Sequence, residues 1–238
     1  MTLGGYGMKP QDFALFKNID ENTICHFFAL GKQMDLPAGA PLVSHLDAGE
    51  TFFLILHGLA KLILVNPNYG PVNLTIFRKG DFLGETSILE PKISRTVNIY
   101  AITDISLFAL HKDEFMHLMR AHPELMINIA RVMGQRLSIM NERMMIERWQ
   151  DQTRKVAHTL AFFADKGQFF KEAGTILLPS LPLKEWALFS CTLREEFMES
   201  MERLKEAGAV DWKNQRIVIT NLEALRRFAD VHLVSPQS

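Results

Sequence analysis

The residue types best suited to chemistry lie between Gly84 and Val97, a stretch that reads Gly-Glu-Thr-Ser-Ile-Leu-Glu-Pro-Lys-Ile-Ser-Arg-Thr-Val. Gly84 lets the backbone approach a ligand with no side chain intervening, and Thr86 and Ser87 open a short apolar turn as helix-capping residues do. Backbone N–H groups at such a turn attract an anion. Arg95 adds a planar cationic fork and Thr96 a hydroxyl, while the Glu85 carboxylate repels phosphate but accepts hydrogen bonds from sugar hydroxyls. Together these residues describe a pocket for a sugar phosphate. The competing reading is a surface loop holding a structural Glu–Arg ion pair.

Other chemistry finds no carrier in the chain. His111, His117 and His122 lack the i, i+4 spacing and partnered carboxylate of a metal-binding helix, so no metal is expected. Cys25 and Cys191 are too few and too far apart for a disulfide framework or a zinc site. No Gly-x-Ser-x-Gly or phosphate-loop pattern appears. The chain is expected not to be an enzyme.

The elements that must position the cradle come next. A chain of 238 residues with 47% hydrophobic content predicts two cored domains joined by one connecting element. Met8 to Ile24 predicts one or two short helices packing as a lid. From Lys32 onward, short apolar runs alternate with turn residues, and strands are expected over Phe52–Leu56, Ala60–Val65, Val72–Phe77 and Ile105–Leu110, as in an antiparallel barrel or jelly roll. After Pro123 a long helix runs to about Arg148. Along it Met126, Ala130, Met133, Leu137, Met140 and Met144 keep a 4-3 spacing, which predicts a coiled-coil seam and hence a homodimer. A single buried helix would need wider apolar cover, some of which Ile129, Val132, Ile139 and Ile146 supply. Beyond it, Val156–Ala164 reads as helix, Gly167–Gly174 as a loop and Thr175–Leu178 as a strand. Pro182–Ser190 and Leu193–Ala207 then read as helices, before a hairpin of Val210–Trp212 and Arg216–Ile219. No signal peptide or membrane span is expected, which fits a cytoplasmic protein.

On its Gly84-Glu85 and Arg95-Thr96 pairs, in type and spacing, the stretch resembles the phosphate-binding cassette of the cyclic-nucleotide-binding domain in the CRP/FNR superfamily of bacterial regulators. The resemblance implies that Glu85 takes the ribose 2′-hydroxyl, that Arg95 and Thr96 take the cyclic phosphate, and that the backbone from Gly84 to Ser87 takes the remaining phosphate oxygens. Gly39, Gly58 and Gly80 fall at turns of that fold. Arg136 matches a basic residue near the ribose-binding glutamate, to pair with Glu85 or the phosphate. Asn141 stands where cAMP binders present a hydroxyl to adenine, whereas Met140 replaces the neighbouring hydroxyl residue. That departure leaves room for another nucleotide or a cyclic dinucleotide such as c-di-GMP. The superfamily's iron–sulfur cysteines are absent.

The implied architecture is α+β: an N-terminal antiparallel β jelly-roll sensor over 1–122, a dimerisation helix over 123–150 and a C-terminal winged helix-turn-helix over 151–238. Arg194 and Glu195 match the pair with which the family's recognition helix reads guanine and cytosine. Thr192 and Arg203 complete the candidate DNA-binding set. Against them stand Glu195, Glu196, Glu199 and Glu202 on the same helix, and twelve Lys and Arg against twelve Asp and Glu across 151–238. Carboxylates oppose approach to phosphates. Lys184, Lys205, Lys213, Arg216, Arg226 and Arg227 are the flanking cations available. Cys191 occupies the turn position where Gly is usual. Two functions follow: a transcription factor switched by a cyclic nucleotide, or a nucleotide sensor whose degenerate recognition helix binds a partner protein.

Overall fold

The computed structural model describes residues 13–43, 49–66, 70–90, 97–147, 149–166, 171–172, 174–214 and 216–229. The chain divides into two compact units, Met1–Met140 and Asn141–Ser238.

Two four-stranded sheets form the frame of the N-terminal unit. Its strands are β1 (Lys32–Leu36), β2 (Pro41–Val43), β3 (Thr51–His57), β4 (Leu59–Asn66), β5 (Gly70–Arg78), β6 (Phe82–Leu83), β7 (Val97–Ala101) and β8 (Ile105–His111). They pair antiparallel in the orders β1-β8-β3-β6 and β2-β7-β4-β5. The sequence of β3 is almost continuously apolar because both its faces are covered, which a one-sided antiparallel strand does not require. Ile55 packs between the sheets with Leu42, Phe77, Ile99 and Leu107. Phe52, Leu54 and Leu56 face a helical layer containing Phe16, Phe27, Phe115 and Leu118. The Phe52 ring stacks on Phe115 at 4.5 Å, and burying such a side chain contributes about 1.5–3 kcal/mol.

That layer is built from α1 (Glu21–Ala29), α3 (Lys112–Ala121) and the start of α4 (Pro123–Glu147), with α2 (Glu85–Leu89) inserted between β6 and β7. Asp20 starts α1 by accepting the Thr23 N–H at 3.0 Å, a side-chain N-cap. The expected N-terminal helices are a turn at Ala14–Phe16 and α1; residues 8–12 lie outside the described part. Rather than a lid, these segments are core, since Phe13, Leu15, Phe16, Ile24 and Phe27 are all buried.

The first half of α4 belongs to the same core through Leu125, Ile129 and Val132. Asn128, 3% exposed on that stripe, donates to the carbonyls of Leu15 and Lys17 at 2.9 Å each. This packing narrows the expected seam, of which Ala130, Leu137 and Met140 stay exposed. Met126 and Met133 turn partly into the chain's own core, because the helix must also cover the first sheet. The face left in water carries Ile127 (59% exposed), Ala130, Gly134 and Leu137 (61%), again at 3-4-3 spacing, with Met140 beside it. The Met144 side chain is outside the described residues.

In the C-terminal unit, α5 (Gln152–Lys166), β9 (Lys171–Glu172), β10 (Thr175–Leu177), α6 (Leu183–Phe189), α7 (Arg194–Glu206), β11 (Val210–Lys213), β12 (Arg216–Ile219) and α8 (Leu222–Ala229) make a winged helix-turn-helix. Its sheet runs β11-β12-β10-β9. Trp186, Phe189 and Phe197 are buried here, and Phe163 meets the Trp186 ring at 4.9 Å. The stretch read as a loop from Gly167 to Gly174 contains β9, whose two residues pair with Thr175 and Ile176. Helix α8 escaped the sequence reading, although Asn221 caps it by accepting the Ala224 N–H at 3.0 Å.

Candidate nucleotide site and recognition helix

β6 pairs with β3 and delivers the chain to Gly84, whose φ of +91° is the left-handed region that favours glycine. A Cβ built at Gly84 would stand 2.2 Å from the Thr51 carbonyl oxygen. Glycine is therefore required twice over, by dihedral and by space. The turn it makes sets Glu85 as the first residue of α2. Gly84 itself is the N-cap, so Thr86 and Ser87 do not cap the helix as expected but lie within it. The Thr86 hydroxyl is 3.4 Å from Glu85 Oε1, to which it donates.

Glu85 is only 5% exposed. Its Oε1 accepts from the Arg136 guanidinium at 2.9 Å, and the second guanidinium nitrogen donates to the Phe82 carbonyl at 2.6 Å. The guanidinium also lies over the Phe82 ring at 4.6 Å and the Phe77 ring at 5.1 Å, where cation–π attraction adds to the ion pair. Arg136 thereby ties α4 to the cradle. Glu85 Oε2 is buried with no hydrogen-bond partner among the described residues. Burial pushes the Glu85 carboxyl above its ordinary range, and the Arg136 charge pulls it back in part. Asp81, just before β6, is likewise pushed up by burial, opposed by the Arg78 N–H it accepts at 2.8 Å.

Gly84, Glu85, Thr86 and Arg136 are thus brought together, with Ser87 on the same short helix. Arg95 and Thr96 lie outside the described residues. Asn141 is exposed on α4. No group of three or more His, Cys, Asp or Glu placed to hold a metal ion occurs among the described residues, and no described helix is long and apolar enough to cross a membrane. Sequence reasoning missed Phe77 and Phe82 as the aromatic bracket of Arg136, since nothing local marks them. It also missed Asn128, for which a polar residue inside an apolar stripe was a usable signal.

On α7, Arg194 and Glu195 stand exposed in the first turn, and Arg203 is exposed further along. Thr192 is half-buried and its hydroxyl donates to the Ala187 carbonyl at 3.4 Å, so it fastens the turn between α6 and α7. Glu196 accepts the Leu193 N–H at 2.7 Å, which makes it a helix-capping carboxylate. Glu195, Glu199, Glu202 and Glu206 remain as an exposed stripe at i, i+4, i+7 and i+11. Among the flanking cations, Lys205 pairs with Asp211 at 3.1 Å and Arg226 with Asp165 at 2.6 Å. Cys191 has φ +51°, the left-handed conformation for which the usual glycine is suited.

Residues 33–122 match the cyclic nucleotide-binding domain. Over 218 residues, covering 90% of this chain and 96% of the relative, the sequence is 23% identical to a CRP-like cAMP-activated global transcriptional regulator of Mycobacterium tuberculosis. It is 24% identical over 176 residues to a cyclic AMP receptor protein of Thermus thermophilus, covering 73% and 77% of the two chains. Among solved structures, the c-di-GMP responsive global regulator CLP of Xanthomonas campestris superposes with a TM-score of 0.72 at 18% identity, over 84% of this chain and 99% of that one. FixK2 of Bradyrhizobium japonicum gives 0.71 at 14% identity, over 83% and 96%. The fold is shared with both. The chain carries a cyclic nucleotide-binding domain over residues 33–122 and is similar in sequence to CRP-like cAMP-activated and cyclic AMP receptor regulators.

Proposed function

We propose that this chain is a cytoplasmic, homodimeric transcriptional regulator whose DNA binding is set by a cyclic nucleotide or cyclic dinucleotide held at Gly84–Ser87, Arg95, Thr96 and Arg136. The observation that carries the reading is Glu85: a carboxylate 5% exposed keeps one oxygen on Arg136 and the other without a partner among the described residues. A buried acceptor left open is costly, and ribose hydroxyls are the donors that would satisfy it. Arg136 sits on α4 between that carboxylate and the exposed Ile127–Leu137 face, so occupancy and pairing of two copies would be linked. The relatives are transcriptional regulators rather than enzymes, which agrees with a binding role. The c-di-GMP response named for CLP keeps cyclic dinucleotides among the candidates.

Calorimetric titration with cAMP, cGMP, c-di-GMP and c-di-AMP tests the proposal. One of them is expected to bind, and Glu85→Gln is expected to weaken it by roughly ten- to 150-fold, the worth of a charged hydrogen bond. Absence of binding by all four would remove the reading. The acidic stripe of α7 favours a second reading for the output, recognition of a partner protein. Selection on random duplexes, with and without nucleotide, separates the two: enrichment of a palindrome that Arg194→Ala abolishes supports groove reading, and no enrichment supports the partner.

A further inference from the structure

At the end of β3 opposite Gly84, strands β1, β8 and β3 leave a groove of ≈ 420 Å³. Strand register aligns Asp35 with Ser106 and Ser106 with His57, which places three polar residues in one row across adjacent strands. Asp104, in the turn entering β8, adds a second carboxylate, and Leu36, Pro37 and Ile105 supply apolar walls. At about 3.3 Å per residue the seven residues of β3 put this groove roughly 20 Å from the nucleotide cradle.

The corner that holds Asp104 is rigidly built. Asp104 Oδ1 accepts the Ala38 N–H at 2.9 Å, and the Thr103 hydroxyl accepts the Leu59 N–H at 3.0 Å while donating to the Asp104 carbonyl at 3.0 Å. Gly58, at φ +90°, allows the close approach: a Cβ there would stand 2.4 Å from the Asp104 carbonyl oxygen. Charge separates the groove from the carboxylates that are held in ion pairs. Glu50, Glu85, Asp165 and Asp211 each meet a cation of the same chain. Asp35 and Asp104 have no such ion pair among the described residues, and no residue lining the groove is Lys or Arg.

The geometry points to a docking surface for a cationic side chain, the arginine or lysine of a partner protein, with its aliphatic stem on Leu36, Pro37 and Ile105 and its head between Asp35 and Asp104. A long basic side chain has this division, an apolar stem under a charged tip. Carboxylates held in place lose less on binding than mobile ones, and an anionic ligand such as a nucleotide is repelled. Asp35, His57 and Asp104 are exposed, as suits a side chain projecting from another protein's surface. The inference stands apart from the nucleotide reading.

The test is amide NMR of the full chain titrated with acetyl-arginine-methylamide, the neutral citrulline analogue serving as control. Saturable shifts are expected at Asp35, Asp104 and Ser106 with the arginine probe alone. The double variant Asp35→Asn, Asp104→Asn should weaken them at least tenfold while retaining the wild-type dispersion of amide signals, which shows that it folds. No saturable shift, equal shifts from citrulline, or unchanged binding by the double variant would each overturn the proposal. Spermidine saturating the same amides at tenfold lower concentration than the arginine probe would also overturn it, by assigning the groove to a free polyamine.

Discussion

Glu85 in the N-terminal unit and the glutamates along α7 in the C-terminal unit are the same side chain in opposite circumstances. Glu85 is enclosed, paired with Arg136 and left with an open oxygen. Glu195, Glu199 and Glu202 stand in water, where a carboxylate is cheap and commits the protein to nothing. Enclosing a carboxylate costs stability, and that cost is the ground for the ligand proposed at Glu85. The exposed stripe opposes phosphates and leaves room for a partner protein.

The largest effect expected from breaking this contrast is that of Arg136→Leu. It strands the Glu85 carboxylate, and removing one partner of a buried ion pair costs about 3 kcal/mol, the low end of the usual range because Arg136 keeps 21% of its side chain exposed. Urea denaturation measures it; a loss under about 1 kcal/mol would mean that the pair is solvated.

Glu85→Gln is next, and its stability effect has a pH signature. Burial holds the carboxyl above its usual value of 4.5, so the fold favours the neutral form. The wild type's stability from that preference is complete below 4.5 and is lost as pH rises through the raised value. Glutamine cannot ionise. The variant should therefore gain on the wild type as pH rises above 4.5 in parallel melts, and a gap that moves the other way would contradict the burial argument.

On the outer face of α4, Leu137→Glu is expected to convert a dimer to monomer at micromolar concentration by light scattering, since Leu137 and Ile127 are the most exposed apolar side chains among the described residues of that helix. Met126→Glu should instead destabilise the monomer, and an intact fold with a broken dimer would restore the methionine seam. The smallest effect is that of Cys191→Gly. Relieving a left-handed non-glycine residue at φ +51° should stabilise the C-terminal unit by about 1 kcal/mol, less the packing of a half-buried thiol.

How legible these features were depended on how local their causes are. Gly84 could be read because one residue carries both the dihedral and the clearance. β3 and β8 could be read because cover on both faces leaves an unbroken apolar run. The Glu85–Arg136 pair spans 51 residues of sequence, and only the family resemblance suggested it. The expected seam on α4 keeps Ala130, Leu137 and Met140 on the exposed face but had included Met126 and Met133, which pack partly on the core; a 4-3 pattern and a 3.6-residue stripe overlap on one helix, and only Leu125, Ile129 and Val132 in place show which face the barrel takes. β9, two residues long, and α8, eight long, fell below the length at which periodicity speaks.

Asn128 reaches back 113 residues to the Leu15 carbonyl and 111 to that of Lys17. During synthesis that distance becomes time: at roughly 5–20 residues per second, the ribosome needs about 6–23 s to make the helix that closes over Phe16 and Phe27. Until then their rings lack part of their cover, so the N-terminal unit is a high-contact-order fold that completes late on the nascent chain. Aggregation during expression should therefore respond to translation speed upstream of Pro123 more than to anything in the C-terminal unit.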